Sequence, residues 1–119
     1  MELVKKIINN NEYTFVNKTW ESSNAWGHET TLFKRHYEIG HNKVRYYNRT
    51  WESYRYQTCM SGCVYELISK RENKLKEYFK NEKNITRLTK KYEEEFEKYL
   101  ENDLELTELK ELKESLRGV

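Results

Sequence analysis

Two thiols and three imidazoles are the side chains in this 119-residue sequence best equipped for chemistry. Cys59 and Cys63 stand four apart, so a helix would place them on one face. Two thiols within one helical turn have poor disulfide geometry, and a reducing cytosol keeps such pairs as thiols. His28, His36 and His41 could join them in a Cys/His zinc site, but the spacing follows no zinc pattern. The simpler expectation is that Cys59, Gly62 and Cys63 are small residues that let a helix lie close against a sheet. No metal site and no cofactor are expected. The histidines belong to no nucleophile, nuclease or metalloprotease constellation. Glu93, Glu94, Glu95 and Glu97 are dense, yet nothing divides them into acid and base roles. The four glycines build no phosphate loop. An enzyme is therefore not expected, and no catalytic residue is assigned. Asn17-Lys18-Thr19, Asn48-Arg49-Thr50 and Asn84-Ile85-Thr86 fit the glycosylation pattern, but the N-terminus carries no secretory signal core.

A different chemistry, recognition, is suggested where aromatics and arginines interleave. Residues 44–57 hold Arg45, Arg49 and Arg55 among Tyr46, Tyr47, Trp51, Tyr54 and Tyr56. Guanidinium groups stack on aromatic rings and grip carboxylates or phosphates in bidentate fashion. Tyr, Trp and Arg also dominate the energetics of protein interfaces. Strand alternation should send Tyr46 and Tyr47 to opposite faces, one into the core and one on display. The competing expectation is a packed corner beneath the start of a helix.

Charge sharpens this. The net charge of +2 is a cancellation. Residues 1–30 carry −1, residues 31–91 carry +9 and residues 92–119 carry −6. Three uses of this pattern are open. The two charged stretches could pair with each other, the basic stretch could meet phosphate or an acidic protein patch, or the acidic tail could imitate nucleic acid in a partner's cationic groove. Screening over ~8–10 Å confines any long-range effect to the encounter step.

The elements that must carry these groups follow from periodicity. Leu3, Val4, Ile7 and Ile8 sit at helical spacing and predict one or two amphipathic turns. Asn9 to Asn11 read as a turn, and Tyr13 and Phe15 as one face of a short strand. Residues 29–48 favour sheet, with Gly40-His41-Asn42 as the stronger hairpin signal. A turn at residues 34–36 is the alternative, which would leave a longer strand bulged near Gly40. Thr50 is a candidate N-cap for a helix over roughly 51–80, whose stripe runs from Tyr56 through Met60, Val64, Ile68 and Leu75 to Phe79. Its length raises the prospect of a break near residues 71–73. Asn84 could cap a second helix bearing Ile85, Leu88, Tyr92, Phe96, Tyr99 and Leu100, and Asn102-Asp103 separates it from a third bearing Leu106, Leu109, Leu112 and Leu116, closed by Gly118.

The expected fold is α+β: a small antiparallel sheet of two or three strands packed on a long helix, then a helical C-terminal half. Residues 1–80 form the head and 81–119 the arm. The narrow stripes of the arm either fold back on the long helix or pair with a second copy as a homodimer. Hydrophobic residues are 36% of the chain, below the ~45–50% usual for globular domains, but 14% aromatics argue against simple disorder. No apolar run approaches a membrane span, which predicts a cytoplasmic protein.

The segments Trp26-Gly27-His28 and Tyr46-Tyr47-Asn48-Arg49-Thr50-Trp51-Glu52, followed by Tyr54 and Tyr56-Gln57, resemble a pattern in small uncharacterised phage and mobile-element proteins of low-GC Gram-positive bacteria. The resemblance covers about residues 26–64. It implies a short phage accessory protein, a class that often binds and blocks a host factor, CRISPR effector nucleases included. The expectation is a non-enzymatic, anti-CRISPR-type inhibitor that binds a host protein. Its partner contacts are expected at Arg45, Tyr47, Arg49, Tyr54 and Arg55, with Glu93, Glu94, Glu95 and Glu97 facing a basic channel. The alternatives are a small DNA-binding module, similar to the arm-binding type of integrases, in which Lys34, Arg35, Lys43 and Arg45 contact phosphates or base edges, or a self-associating structural protein driven by the C-terminal helices.

Overall fold

A computed structural model describes residues 1–46 and 56–117. The fold is α+β, four antiparallel strands followed by three helices. The strands are β1 (Glu2–Ile8), β2 (Asn11–Glu21), β3 (Trp26–Lys34) and β4 (Tyr37–Tyr46), hydrogen-bonded in chain order. The helices are α1 (Gln57–Lys83), α2 (Lys90–Glu101) and α3 (Leu104–Ser115).

The sheet has one strand more than expected, because residues 2–8 are a strand and not helical turns. Asn9 and Asn10 explain the difference. Both take positive φ, 50° and 64°, which Asn tolerates and which a two-residue hairpin turn demands. The turn returns the chain in register, so β1 pairs with β2 from Glu2↔Asn17 to Ile8↔Asn11. Val4 and Ile8 then pack on the core while Leu3 and Ile7 stand exposed, a pattern that mimics helical spacing.

The β3–β4 hairpin turns at Arg35, not at Gly40-His41-Asn42. Arg35 takes φ 57° and its N–H donates to the Glu12 carbonyl, which holds the turn without glycine. Gly40 instead pairs with Leu32, and the register shifts between Leu32 and Phe33 so that Ile39 is the extra residue of a bulge.

α1 is unbroken over 27 residues, about 40 Å at 1.5 Å per residue. Its Cys63, Val64 and Ile68 meet Tyr13, Phe15 and Leu32 of the sheet. Gly62 has a reason to lack a side chain, since a Cβ there would lie 2.5 Å from Asn42 Nδ2. Asn42 Nδ2 also donates to the Cys59 carbonyl at 3.0 Å, and Cys59 Sγ donates to the Asn42 carbonyl at 3.3 Å. Cys59, Gly62 and Cys63 thus lie at the closest approach of helix to sheet. Burial pushes both thiols up, Cys63 to about 12, so both stay protonated.

Asn84 does not begin α2. It ends α1 in the left-handed conformation, φ 55°, with its N–H on the Asn81 and Lys80 carbonyls, and α2 starts later at Lys90. Asp103 caps α3 by accepting from the Leu106 N–H at 2.8 Å. Both C-terminal helices fold back on α1. Leu106, Leu109, Leu112 and Leu116 of the α3 segment join the central core, whereas α2 buries no residue and wraps Phe79 with Tyr92, Phe96 and Tyr99. The radius of gyration, 17.2 Å, exceeds the ~13–14 Å of a compact chain this size because α1 and α2 project beyond the sheet. Thr50 and Gly118 lie outside the described residues.

Candidate binding surface

α1 and α3 pack on one face of the sheet, and α2 packs on those two helices. α1 contacts β3 and β4, and α3 contacts β1. Among the described residues, no element covers the opposite face. Alternation from the buried Tyr13, Phe15 and Asn17 assigns Thr14, Val16, Lys18 and Trp20 of β2 to that face. The registers then add Leu3, Lys5 and Ile7 of β1, Glu29, Thr31 and Phe33 of β3, and His41, Lys43 and Arg45 of β4.

A Trp-centred group organises one end. Trp20 pairs with Gly27, which pairs in turn with Arg45. A Cβ on Gly27 would lie 1.9 Å from the Val44 carbonyl oxygen and 2.7 Å from the Trp20 ring. The missing side chain therefore opens a lane across β3, and the indole of Trp20 lies in it and reaches β4. Lys43 Nζ sits 4.6 Å and the Arg45 guanidinium 5.4 Å from the Trp20 ring centre. Trp20 Nε1 donates to the His28 carbonyl at 3.3 Å, which fixes the ring. Each cation over an indole face contributes about 0.5–1 kcal/mol at an exposed site. The arrangement holds two flexible cations in place over a flat apolar plate before any partner arrives.

The rest of the face is close to electrically balanced. Lys5 lies 3.9 Å from Glu12, and His41 Nε2 meets Glu29 Oε1 at 2.7 Å. The His41 hydrogen bond holds the Glu29 carboxyl below the usual carboxylate range. Leu3 and Ile7 are 54% and 71% exposed, an apolar margin on the β1 edge.

Of the residues expected to bind, Arg45 and Lys43 share this face. Lys34 does not: it lies on the helical side, where its Nζ is 3.4 Å from buried Glu108. The bulge at Ile39 separates it from the parity of Lys43 and Arg45. Arg35 occupies the hairpin turn, exposed. Glu93, Glu94, Glu95 and Glu97 are all exposed on α2, with Glu95 3.5 Å from Lys83 of α1. Tyr47, Arg49, Tyr54 and Arg55 lie outside the described residues. The described rings of the Trp26–Gln57 pattern form one cluster: His28 sits 5.4 Å from Trp26, 5.6 Å from Tyr46 and 4.7 Å from Tyr56 by ring centres. Sequence reasoning missed Trp20, whose only signal is a glycine on the neighbouring strand.

The acidic and basic stretches meet on the helical side. Arg71 grips Asp103 through two bonds, Nε at 3.1 Å and Nη2 at 2.8 Å, and reaches Glu105 with Nη1 at 3.2 Å. Glu108 Oε1 accepts from the Tyr13 hydroxyl, from Asn11 Nδ2 at 2.9 Å and pairs with Lys34. Burial and that carboxylate push the Tyr13 hydroxyl well above its ordinary pKa. Among the described residues, no group of His, Cys, Asp and Glu is arranged to hold a metal ion, and no helix is long and apolar enough to cross a membrane.

No family model, curated protein or solved structure matches this chain.

Proposed function

We propose that this chain is a non-enzymatic binding protein that docks onto a partner protein through the uncovered face of its sheet. The observation that carries the reading is the Trp20 lane: a glycine-cleared track that holds Lys43 and Arg45 over an indole plate. Trp and Arg are the side chains that contribute most at protein interfaces. The exposed Leu3 and Ile7 at the other end supply apolar area on the same face. Lys5, Lys18, Lys43 and Arg45 against Glu12, Glu29 and Glu38 leave the face only slightly positive, which favours a protein over a nucleic acid, whose binders present a strong cationic footprint. The phage-like pattern of residues 26–64 extends the proposal: the chain acts as a phage accessory inhibitor, and its partner is a host defence factor, with a CRISPR effector nuclease the first to try.

The test is co-elution of purified chain with candidate nucleases, together with the effect of the chain on their cleavage. A stable complex and reduced cleavage are expected, both lost in Trp20→Ala and Arg45→Glu. If the chain neither co-elutes with any candidate nor slows its cleavage, the inhibitor reading fails. The DNA-binding alternative predicts a gel shift that weakens steeply between 50 and 200 mM salt.

A further inference from the structure

On the helical side, a half-open cavity of about 330 Å³ lies between β4, α1 and α3. Its volume falls at the lower end of the ~300–1,000 Å³ typical of small-molecule sites. The floor is apolar, formed by Ile39, Leu67 and Leu109. Ile39 is there because the bulge turns it inward with its neighbour.

The rim is cationic. Lys70, Arg71 and Lys74 come from one turn of α1, and Lys34 faces them from the end of β3. Like charges three and four apart on a helix repel each other. Lys70 and Lys74 are both exposed, so solvent screens part of that repulsion. Two of the four cations are committed elsewhere: Arg71 to Asp103 and Glu105, Lys34 to Glu108. Among the described residues, Lys70 pairs with the exposed Glu66 of its own helix, at 3.1 Å. Lys74 has no ion pair among the described residues and lies 5.9 Å from the Tyr78 ring centre. A single lining carboxylate, Glu105, is already held by Arg71.

We propose that this cavity binds a small organic anion, with an apolar body on Leu67, Leu109 and Ile39 and a phosphate or carboxylate head on Lys70 and Lys74. An anionic head relieves the repulsion along α1, and the body removes apolar floor from water. Arg71 and Lys34 are neutralised by their own carboxylates, so the anion is held by Lys70 and Lys74. This site is separate from the uncovered sheet face and stands whether or not that face binds a protein.

The test uses phenyl phosphate, with phenol and inorganic phosphate as partial probes, followed by methyl NMR of the full chain. Phenyl phosphate should give saturable shifts at the Ile39, Leu67 and Leu109 methyls, while phenol should give none that saturate. Inorganic phosphate should bind at least tenfold more weakly. Lys70→Glu with Lys74→Glu should weaken phenyl phosphate at least tenfold while leaving the methyl resonances of buried Val64 and Leu32 in place. Both substitutions lie on exposed helix surface, so the fold should survive; as a second check, Leu67→Trp should fill the floor and block binding. Absence of saturable shifts at millimolar probe overturns the proposal. So does binding that ignores the charge reversal, or shifts centred on Trp20.

Discussion

The two faces of one sheet are built to opposite rules. On the helical side, buried polar groups are drawn into specific pairs: Asn17 accepts from Thr30 at 2.6 Å, and Glu108 gathers Tyr13, Asn11 and Lys34. On the other side, the largest ring, Trp20, spends its faces on mobile cations and carries no covering layer among the described residues. Burial on the first face supplies stability. Ordered but uncovered chemistry on the second adds little to stability and is available for recognition. The contrast separates residues that hold the fold from residues that meet a partner.

Substitutions should break the contrast in graded fashion. Phe15 is fully buried, so Phe15→Ala should cost about 3–5 kcal/mol, read as a lower urea midpoint with unchanged slope. Glu108→Ala should follow at about 3 kcal/mol, because it leaves Lys34 and the Tyr13 hydroxyl facing a buried gap, and Glu108→Gln should recover part of the loss. Asp103→Ala removes the α3 cap and the Arg71 partner at once and should cost about 1–2 kcal/mol. The Arg71 hydrogen bonds hold the Asp103 carboxyl below its ordinary value. A lowered folded-state value means its contribution is present above the ordinary aspartate range and is lost as pH falls through the lowered value. Urea midpoints of wild type and Asp103→Asn should therefore converge below about pH 4. The smallest effect belongs to the uncovered face. Arg45→Glu should shift stability by no more than about 0.5–1 kcal/mol, the worth of an exposed cation–π contact, while removing partner binding.

Much of the inner face is written in residue types. The Asn pair of the first hairpin, the alternation of Tyr13 and Phe15, the 3.6 stripe of α1 and the cap at Asp103 each follow from local preference. The departures have local causes too. Leu3, Val4, Ile7 and Ile8 satisfy helix spacing and strand alternation alike, and only the tight Asn9-Asn10 turn decides. Arg35 adopts a left-handed turn that its residue type does not advertise, because the Glu12 carbonyl accepts its N–H. Gly40 looks like a turn glycine but serves close approach, since a Cβ there would lie 3.0 Å from Cys63 Sγ and from Leu67 Cδ1. The candidate surface was legible only in part. Arg45 and Lys43 stand out as cations on a strand. Trp20 joins them only through a register that brings Gly27 between them, and Lys34 leaves their company through a bulge. Both are tertiary facts that no window of sequence contains.

The most direct measurement of the central claim is site-specific photo-crosslinking to a captured partner. A benzophenone side chain placed at Thr31, in the middle of the uncovered face, should crosslink to a protein from a nuclease-treated Gram-positive lysate, and Arg45→Glu should abolish the product. The same group at Tyr65, exposed on α1, should give none. A partner that crosslinks from Tyr65 and not from Thr31 would contradict the assignment of the open sheet as the docking face.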